Sequence, residues 1–375
     1  MSLIFRLARR NLFQDRLRFI ATIIGIVFSI VLVTVQLGLF LGFEKMVTTM
    51  IDHAPADLWI VSRGTKCFED PSMLDKRDMS KALDVPGVAS AVPLLIGFTE
   101  WSVPNDGSTP VFVVGTSPDG LQPWHVVQGN PADLTDARAV AIDKTYFDRL
   151  GVHALGASTT IRNHTVVVKA ITTGIRSFTT TPFVFTPLQS AQTYIGAPRE
   201  DISYLLVRVS KNADTATVRA ALAKKLDKVE VLTTAEFRDR SRAFWLFGTG
   251  AGFALFGGAL LGAIVGTVII AQTLYSSTKD HLTEFATLRA IGSSSFYIVK
   301  VIIAQALLSA VIGYGVAGLV DLAVLKYTAD SALPIVITPL LSVGLFVLTV
   351  IMCVVSALSA IVQVTRIDPA RVFRS

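Results

Sequence analysis

Four apolar runs, each long enough to cross a bilayer, constrain this chain more than any other feature. They lie at residues 19–43, 244–275, 296–327 and 339–364, and a spanning helix needs about 20 apolar residues. Composition agrees, with 51% hydrophobic and 17% charged residues against roughly 25% charged in a soluble domain. The runs are unevenly placed. Residues 44–242, between the first and second, have ordinary soluble composition. The sequence therefore predicts four transmembrane α-helices, split one plus three, with a large α+β extracytoplasmic domain between the first and second. The expected segments are an N-terminal helix (1–18), first span (19–43), exported domain (44–242), second span (243–276), cytoplasmic segment (277–295), third span (296–327), short exported loop (328–338), fourth span (339–364) and tail (365–375).

Charge sets the expected orientation. Arg6, Arg9, Arg10, Arg16 and Arg18 precede the first run against Asp15 alone, and Arg366, Arg371 and Arg374 follow the last against Asp368. Both ends are thus expected on the cytoplasmic side. Arg238, Arg240 and Arg242 stand just outside the second run, but long exported domains translocate largely regardless of charge. The first apolar core exceeds a signal-peptide core and has no small-residue cleavage site before Glu44, so it reads as an uncleaved anchor. Ile4, Phe5, Leu7, Ala8 and Leu12 project to one helical face and Arg6, Arg9 and Arg10 to another, which fits an amphipathic helix on the inner leaflet. Phe13 falls on the wrong face. The net charge of +6 is a topology signal; no basic stripe interleaves with aromatics as a nucleic-acid surface requires.

Within the exported segment, β-rich runs at 58–62, 111–115, 139–142, 165–172, 204–209 and 229–232 alternate with helical patterns at 144–150, 188–195 and 215–226. Turn signals such as Pro86-Gly87, Asn105-Asp106-Gly107, Pro118-Asp119-Gly120 and Gly129-Asn130-Pro131 separate them. Residues 129–187 are the most strand-rich, which leaves room for two lobes. His53, His125, His153 and His164 lack metal-site spacing, and neither G-x-S-x-G nor H-E-x-x-H occurs. Trp101 and Trp124 read as core or interface residues. Cys67 and Cys353 fall in different compartments on this topology, so no internal disulfide is expected; Cys353 reads as a small core residue and Cys67 as a free thiol.

Between the second and third runs lies a short polar segment, Thr278-Lys-Asp-His-Leu-Thr-Glu-Phe-Ala-Thr-Leu-Arg-Ala-Ile-Gly292. Ser277 and Asp280 have N-cap spacing, and Gly292 stands where a helix ends on a left-handed residue. Leu282, Phe285 and Ala286 share one face, with Arg289 a turn further on. So short a helix is marginal alone, and its apolar face is expected to meet a partner protein. On spacing alone it is equally an ordinary connecting helix.

The run Glu284-Phe285-Ala286-Thr287-Leu288-Arg289-Ala290-Ile291-Gly292 resembles the E-I-G-x-L-R-A-I-G segment of the MacB/FtsX-type ABC transporter permeases. His281-Leu282-x-Glu284-Phe285-x-Thr287-Leu288 is most similar to the DevC-type branch of tripartite exporters. Val85-Pro86-Gly87-Val88, Ala141-Ile142-Asp143, Leu150-Gly151 and Leu155-Gly156 resemble the MacB-type periplasmic core domain. The resemblance implies a type VII permease fold in a bacterial inner membrane, with Leu282, Glu284, Phe285, Ala286, Leu288, Arg289, Ala290, Ile291 and Gly292 as the helix that couples to an ATPase. No G-x-x-x-x-G-K-[ST] occurs, so ATP and Mg would be bound by a separate ATPase subunit, with no cofactor or metal on this chain. A second permease copy, a periplasmic adaptor (membrane fusion protein), an outer-membrane channel and membrane lipids are the other implied partners. The implied function is mechanotransmission-type export of a lipid, glycolipid, peptide or drug-like substrate. An FtsX-like regulator of cell-wall hydrolases and a LolC/LolE-like lipoprotein extractor share the ground plan, and neighbouring genes would discriminate them.

Small residues mark the spans. Gly38 and Gly42 are four apart, and Gly258, Gly262 and Gly266 follow at four-residue steps, a spacing that permits close helix approach within one chain or between two copies. Glycine is also simply frequent in membrane helices. Gln36, Gln272, Gln305 and Asp321 are the notable polar residues, and Asp321 is expected in a wet or hydrogen-bonded structural role. Residues 244–275 as one helix would reach about 48 Å, enough to extend outwards as a stalk.

Overall fold

The structure is a computed structural model that describes residues 3–104, 107–329, 331 and 333–365. Its helices are α1 (Leu3–Gln14), α2 (Arg16–His53), α3 (Asp78–Leu83), α4 (Phe147–Leu150), α5 (Leu188–Ile195), α6 (Thr215–Lys225), α7 (Thr234–Ala243), α8 (Ala251–Asp280), α9 (Leu282–Ala290), α10 (Ser295–Thr328) and α11 (Pro339–Thr365). Its strands are β1 (Leu58–Ser62), β2 (Leu74–Asp75), β3 (Val88–Ser102), β4 (Ser108–Thr116), β5 (Val126–Gly129), β6 (Ala139–Asp143), β7 (Ser158–Ile161), β8 (His164–Thr172), β9 (Phe183–Pro187), β10 (Asp201–Ile202), β11 (Tyr204–Val209) and β12 (Val229–Thr233). Asn105, Asp106 and the tail charges Arg366, Asp368, Arg371 and Arg374 lie outside the described residues. Two compact units emerge: a helical unit of α1, α2 through Leu41, and α8–α11, and an α+β unit built on Gly42–Gly252.

Among the described residues, α2, α8, α10 and α11 are the four helices long and apolar enough to span a membrane. Ile26 and Ile30 of α2, Ile270 and Leu274 of α8, Ile298 and Ile302 of α10 and Met352 of α11 form one buried cluster. Apolar side chains on the opposite faces, among them Leu17, Phe28, Phe253, Leu261 and Leu340, stay exposed, as lipid-facing positions require. α1 packs against α10 through buried Ala8 and Asn11, while Arg6, Arg9 and Arg10 point outwards. Phe13 remains 45% exposed, in keeping with its misplaced register.

The α+β unit is organised by β3, a 15-residue strand. Residues 88–94 of β3 pair antiparallel with β11, and residues 95–102 pair antiparallel with β4. One sheet therefore runs β12-β1-β11-β3-β4-β9-β6-β8-β5. The β4–β9 and β6–β8 pairs are parallel and the others antiparallel, a mixed α+β sheet. Strand period two decides which core each side chain joins. On β1, Leu58 and Ile60 enter the cluster beneath α3 and α6 with Val218 and Leu222. The alternate residues Trp59 and Val61 enter the opposite cluster with Phe68, Tyr204 and Phe237. From the second half of β3, Leu95 and Trp101 join Val113, Ile142 and Tyr194 in a third cluster against α4 and α5. Gly129 ends β5 at φ +81°, and a Cβ there would collide with the Lys169 carbonyl, so glycine is required.

Two boundaries differ from the sequence-based expectation. The first long helix continues ten residues beyond 43, to His53, because Met46, Val47, Met50 and Ile51 bury their side chains in the α+β unit. The second begins at Ala251 rather than 244: Phe244–Gly248 form a π-turn, and Gly250 takes φ +79°. A π-turn followed by a left-handed residue interrupts the i→i−4 ladder, so α7 and α8 are separate helices and not one continuous stalk.

Candidate coupling segment and glycine seam

α8 runs unbroken to Asp280, so Ser277 and Asp280 are its last turn and not the cap of the next helix. The apolar, β-branched run before them carries the helix past the expected stop. Asp280 instead takes an ion pair from Arg18 at the start of α2, and Arg18 also reaches Asp15 at 3.5 Å. His281 occupies the N-cap of α9 without a side-chain capping bond; its Nδ1 lies 3.2 Å from Glu284 Oε1.

α9 ends as its sequence suggests. Gly292 adopts φ +104°, its N–H donates to the Arg289 carbonyl at 3.0 Å, and the Ser293 N–H donates to the Leu288 carbonyl at 2.9 Å. These are the two bonds of a Schellman closure. Ser294 then caps α10, its hydroxyl accepting from the Tyr297 N–H at 3.3 Å. The chain reverses within three residues because glycine and serine supply the two adjacent helix ends.

The faces of α9 correct one expectation. Phe285 is 2% exposed and Ala286 1%; both lie in the helical unit's own core, Phe285 with Leu274, Ile298 and Ile302, and Leu282 and Leu288 pack beside them. The apolar face is therefore already covered by α8 and α10. Burying a phenylalanine is worth about 1.5–3 kcal/mol, and this anchors a helix too short to stand alone. The outward residues are Thr283, Glu284 and Thr287, with Ile291 at the C-cap 79% exposed. Arg289 is half-buried, and the side chain of Ala290 lies outside the described residues. Thr283 and Thr287 went unnoticed in the sequence; their four-residue spacing around Glu284 was the available signal.

The stepped glycines of α8 face α2. A Cβ on Gly258 would lie 2.8 Å from Gln36 Cδ, and one on Gly262 3.1 Å from Leu32 Cδ2. On Gly266 it would overlap the Ser29 hydroxyl and approach Met352 Cε at 2.7 Å. Gly38 meets Ile335 Cγ2 at 2.5 Å by the same measure, and Gly42 is buried in α2. Asp321 is buried on α10 and accepts a 3.0 Å hydrogen bond from the Thr34 hydroxyl of α2. Gln305 is buried on α10, whereas Gln272 is exposed on α8.

Other singled-out residues are buried or stacked within the two units. Trp101 Nε1 donates to the Leu150 carbonyl at 2.9 Å, and Trp124 stacks on His53 at 3.9 Å. Cys67 and Cys353 are both buried free thiols. Burial, followed by the charge of Glu69, pushes the Cys67 thiol up to about 12.

Residues 19–225 match the family of the MacB-like periplasmic core domain, and residues 245–369 match the FtsX-like permease C-terminal family. Among curated proteins none matches the chain. Among solved structures, the periplasmic region of MacB from Actinobacillus actinomycetemcomitans aligns at 11% identity and TM-score 0.38, covering 50% of this chain and 94% of that one. The extracellular domain of the noncanonic ABC-type transporter YknZ from Gram-positive bacteria aligns at 14% identity and TM-score 0.35, covering 48% of this chain and 99% of that one. The two family matches together take in most of the α+β unit and of the four long helices: the chain belongs to the MacB/FtsX-type ABC transporter permeases, multi-pass membrane subunits that work with a separate ATPase.

Proposed function

We propose that this permease subunit couples ATP hydrolysis by a partner ATPase to movement of its extracytoplasmic domain, and thereby exports an amphipathic substrate. The observation that carries the reading is the construction of α9. Phe285 pins the helix to α8 and α10, while Thr283, Glu284, Thr287 and Ile291 are left facing outwards. An exposed isoleucine at the tip of a rigidly held helix is an anchor for a groove on another protein. A push there is delivered to α8 and α10, because α9 is closed onto both by short turns.

In this reading α1, α9 and the chain's end face the cytoplasm, ATP and Mg bind to the ATPase alone, and two permease copies pair with two ATPase copies in the inner membrane. The resemblance of residues 281–288 to the DevC-type branch favours a tripartite exporter, with an adaptor and an outer-membrane channel receiving a lipid, glycolipid, peptide or drug-like molecule. A hydrolase regulator or a lipoprotein extractor would use the same coupling with a different extracytoplasmic partner. The deciding experiment is co-purification of the full chain in mild detergent, with mass spectrometry of bound proteins and lipids. Recovery of an ATPase and an adaptor is expected; recovery of a cell-wall hydrolase without an adaptor would overturn the exporter reading.

A further inference from the structure

A cleft of about 1120 Å³ opens within the α+β unit and is lined by residues of that unit alone. It is bounded by the segment before α3, the start of β8, α5 and the loop that follows α5. Its charged lining is Lys76, Arg77, Arg138 and Arg199 against Glu200. Arg77 is already spent: its guanidinium holds Asp75 through Nε and Nη2 at 3.0 and 2.7 Å, and this bond keeps the Asp75 carboxyl below the usual carboxylate range. Lys76, Arg138 and Arg199 form no ion pair among the described residues. Asp136 accepts a hydrogen bond from the Arg138 backbone N–H through Oδ1 at 2.9 Å.

The walls are fixed by the fold. The Ser190 and Tyr194 hydroxyls both donate to the Ala137 carbonyl, at 2.7 and 3.0 Å, holding α5 against the segment before β6 that carries Arg138. Gln192 Nε2 donates to the Arg199 carbonyl at 2.9 Å and fixes the opposite rim. The Lys76 N–H donates to the Glu200 carbonyl at 2.7 Å, tying the third side to it. Gln189, Thr193 and His164 add polar side chains around the opening. Cations that line one cleft repel one another and gain from a ligand that presents more than one anionic group. Guanidinium groups pair bidentately with phosphate. The volume is that of a head group rather than of a single ion.

We propose that this cleft binds a phosphate-bearing ligand with at least two negative charges, either a phosphorylated lipid head group or a soluble phosphoryl compound. The proposal stands apart from the export reading, since binding needs neither ATPase nor adaptor. The test is calorimetric titration of the full chain in phosphatidylcholine nanodiscs. One arm uses inorganic pyrophosphate and a second dihexanoyl phosphatidic acid, with dihexanoyl phosphatidylcholine as the neutral-charge control. Binding of phosphatidic acid alone identifies a lipid head group, and binding of pyrophosphate identifies a free phosphoryl ligand; each supports the cleft. Arg138→Glu with Arg199→Glu is expected to weaken binding by about tenfold or more, and Arg138→Gln with Arg199→Gln by less, as lost charge-assisted bonds require. Lys211→Glu, exposed and outside the cleft, is expected to change little. Failure of both ligands to bind, or an equal loss in Lys211→Glu, overturns the proposal.

Discussion

The Ser29 hydroxyl donates a 2.8 Å hydrogen bond to the Gly262 carbonyl, joining α2 to α8 across the middle of the helical unit. Such a bond to a backbone oxygen requires close approach, and the glycines of α8 permit it. Their substitution is therefore expected to be graded. Gly266→Leu must displace Ser29 and Met352 and should cost most in thermal stability of the detergent-solubilised protein. Gly262→Leu meets the mobile end of Leu32 and should cost less. Gly257→Leu, whose Cβ would enter open space, should be near neutral. Equal melting temperatures for all three variants would remove the seam as a contact.

Glu69 accepts a 2.8 Å hydrogen bond from the Trp245 indole N–H, linking the loop after β1 to the π-turn that precedes α8. Burial raises the Glu69 carboxyl from its ordinary 4.5 to about 7, against the opposing pull of the Trp245 bond. The folded state thus holds this proton more tightly than the unfolded chain. Its contribution is complete below pH 4.5 and is lost as pH rises through about 7. Glu230 behaves oppositely: the Gly64 N–H and Arg240 hold its carboxyl low, so its contribution is lost as pH falls below the ordinary range. Melting temperature measured from pH 5 to 8 is expected to fall in wild type and to flatten in Glu69→Gln, which retains an acceptor for Trp245. An unchanged slope in that variant would show that Glu69 does not titrate in this window.

The buried Cys67 thiol, pushed up to about 12, should react with maleimide only after denaturation, since the thiolate is the nucleophile. The buried Cys353 should also stay unlabelled in the folded protein, because no reagent reaches it. That quiet background allows the proposed orientation to be tested by single-cysteine labelling of intact cells. Ser108→Cys and Thr283→Cys both replace exposed residues. An impermeant reagent is expected to label the first and not the second; the reverse pattern would invert the proposed topology.

What the sequence made legible and what it hid have separate causes. The spans were readable because bilayer thickness imposes a length that composition reveals directly. The closure of α9 was readable because Gly292 is a local conformational requirement. β3, the strand that unites the sheet, is absent from the β-rich runs of the sequence because Pro93 and Gly97 interrupt its pattern; tertiary pairing with β11 and β4 overrides them. α7 carried a signal that was overlooked, the capping box in which Thr233 and Glu236 bond each other's backbone N–H groups. The inward direction of Phe285 was beyond periodicity, which identifies an apolar face but not what covers it. The cationic cleft was invisible for a related reason: Lys76, Arg138 and Arg199 are far apart in sequence and meet only in the tertiary fold.

That covered face changes how the coupling proposal must be tested. A substitution at Phe285 removes core packing, so Phe285→Ala should destabilise the helical unit by about 3 kcal/mol or more and reduce the yield of folded protein, whatever α9 touches. Loss of ATPase binding in that variant would say nothing specific about contact. The informative positions are those already facing outwards. Glu284→Lys reverses an exposed charge that neighbours His281, and Ile291→Asp replaces a side chain that is 79% exposed with a charged one. Neither removes buried surface, so both should fold, insert and melt like wild type within about 0.5 kcal/mol. Each is nevertheless expected to lower ATPase recovery in pull-down and the permease-stimulated ATPase rate in reconstituted membranes, by about tenfold if Ile291 fills a groove as a binding anchor does. Thr287→Ala, which trims the same face by little, should fall between these variants and wild type. If Glu284→Lys and Ile291→Asp bind and stimulate the ATPase normally while Phe285→Ala alone fails, α9 is a structural brace between α8 and α10, and the force from ATP hydrolysis enters the permease elsewhere.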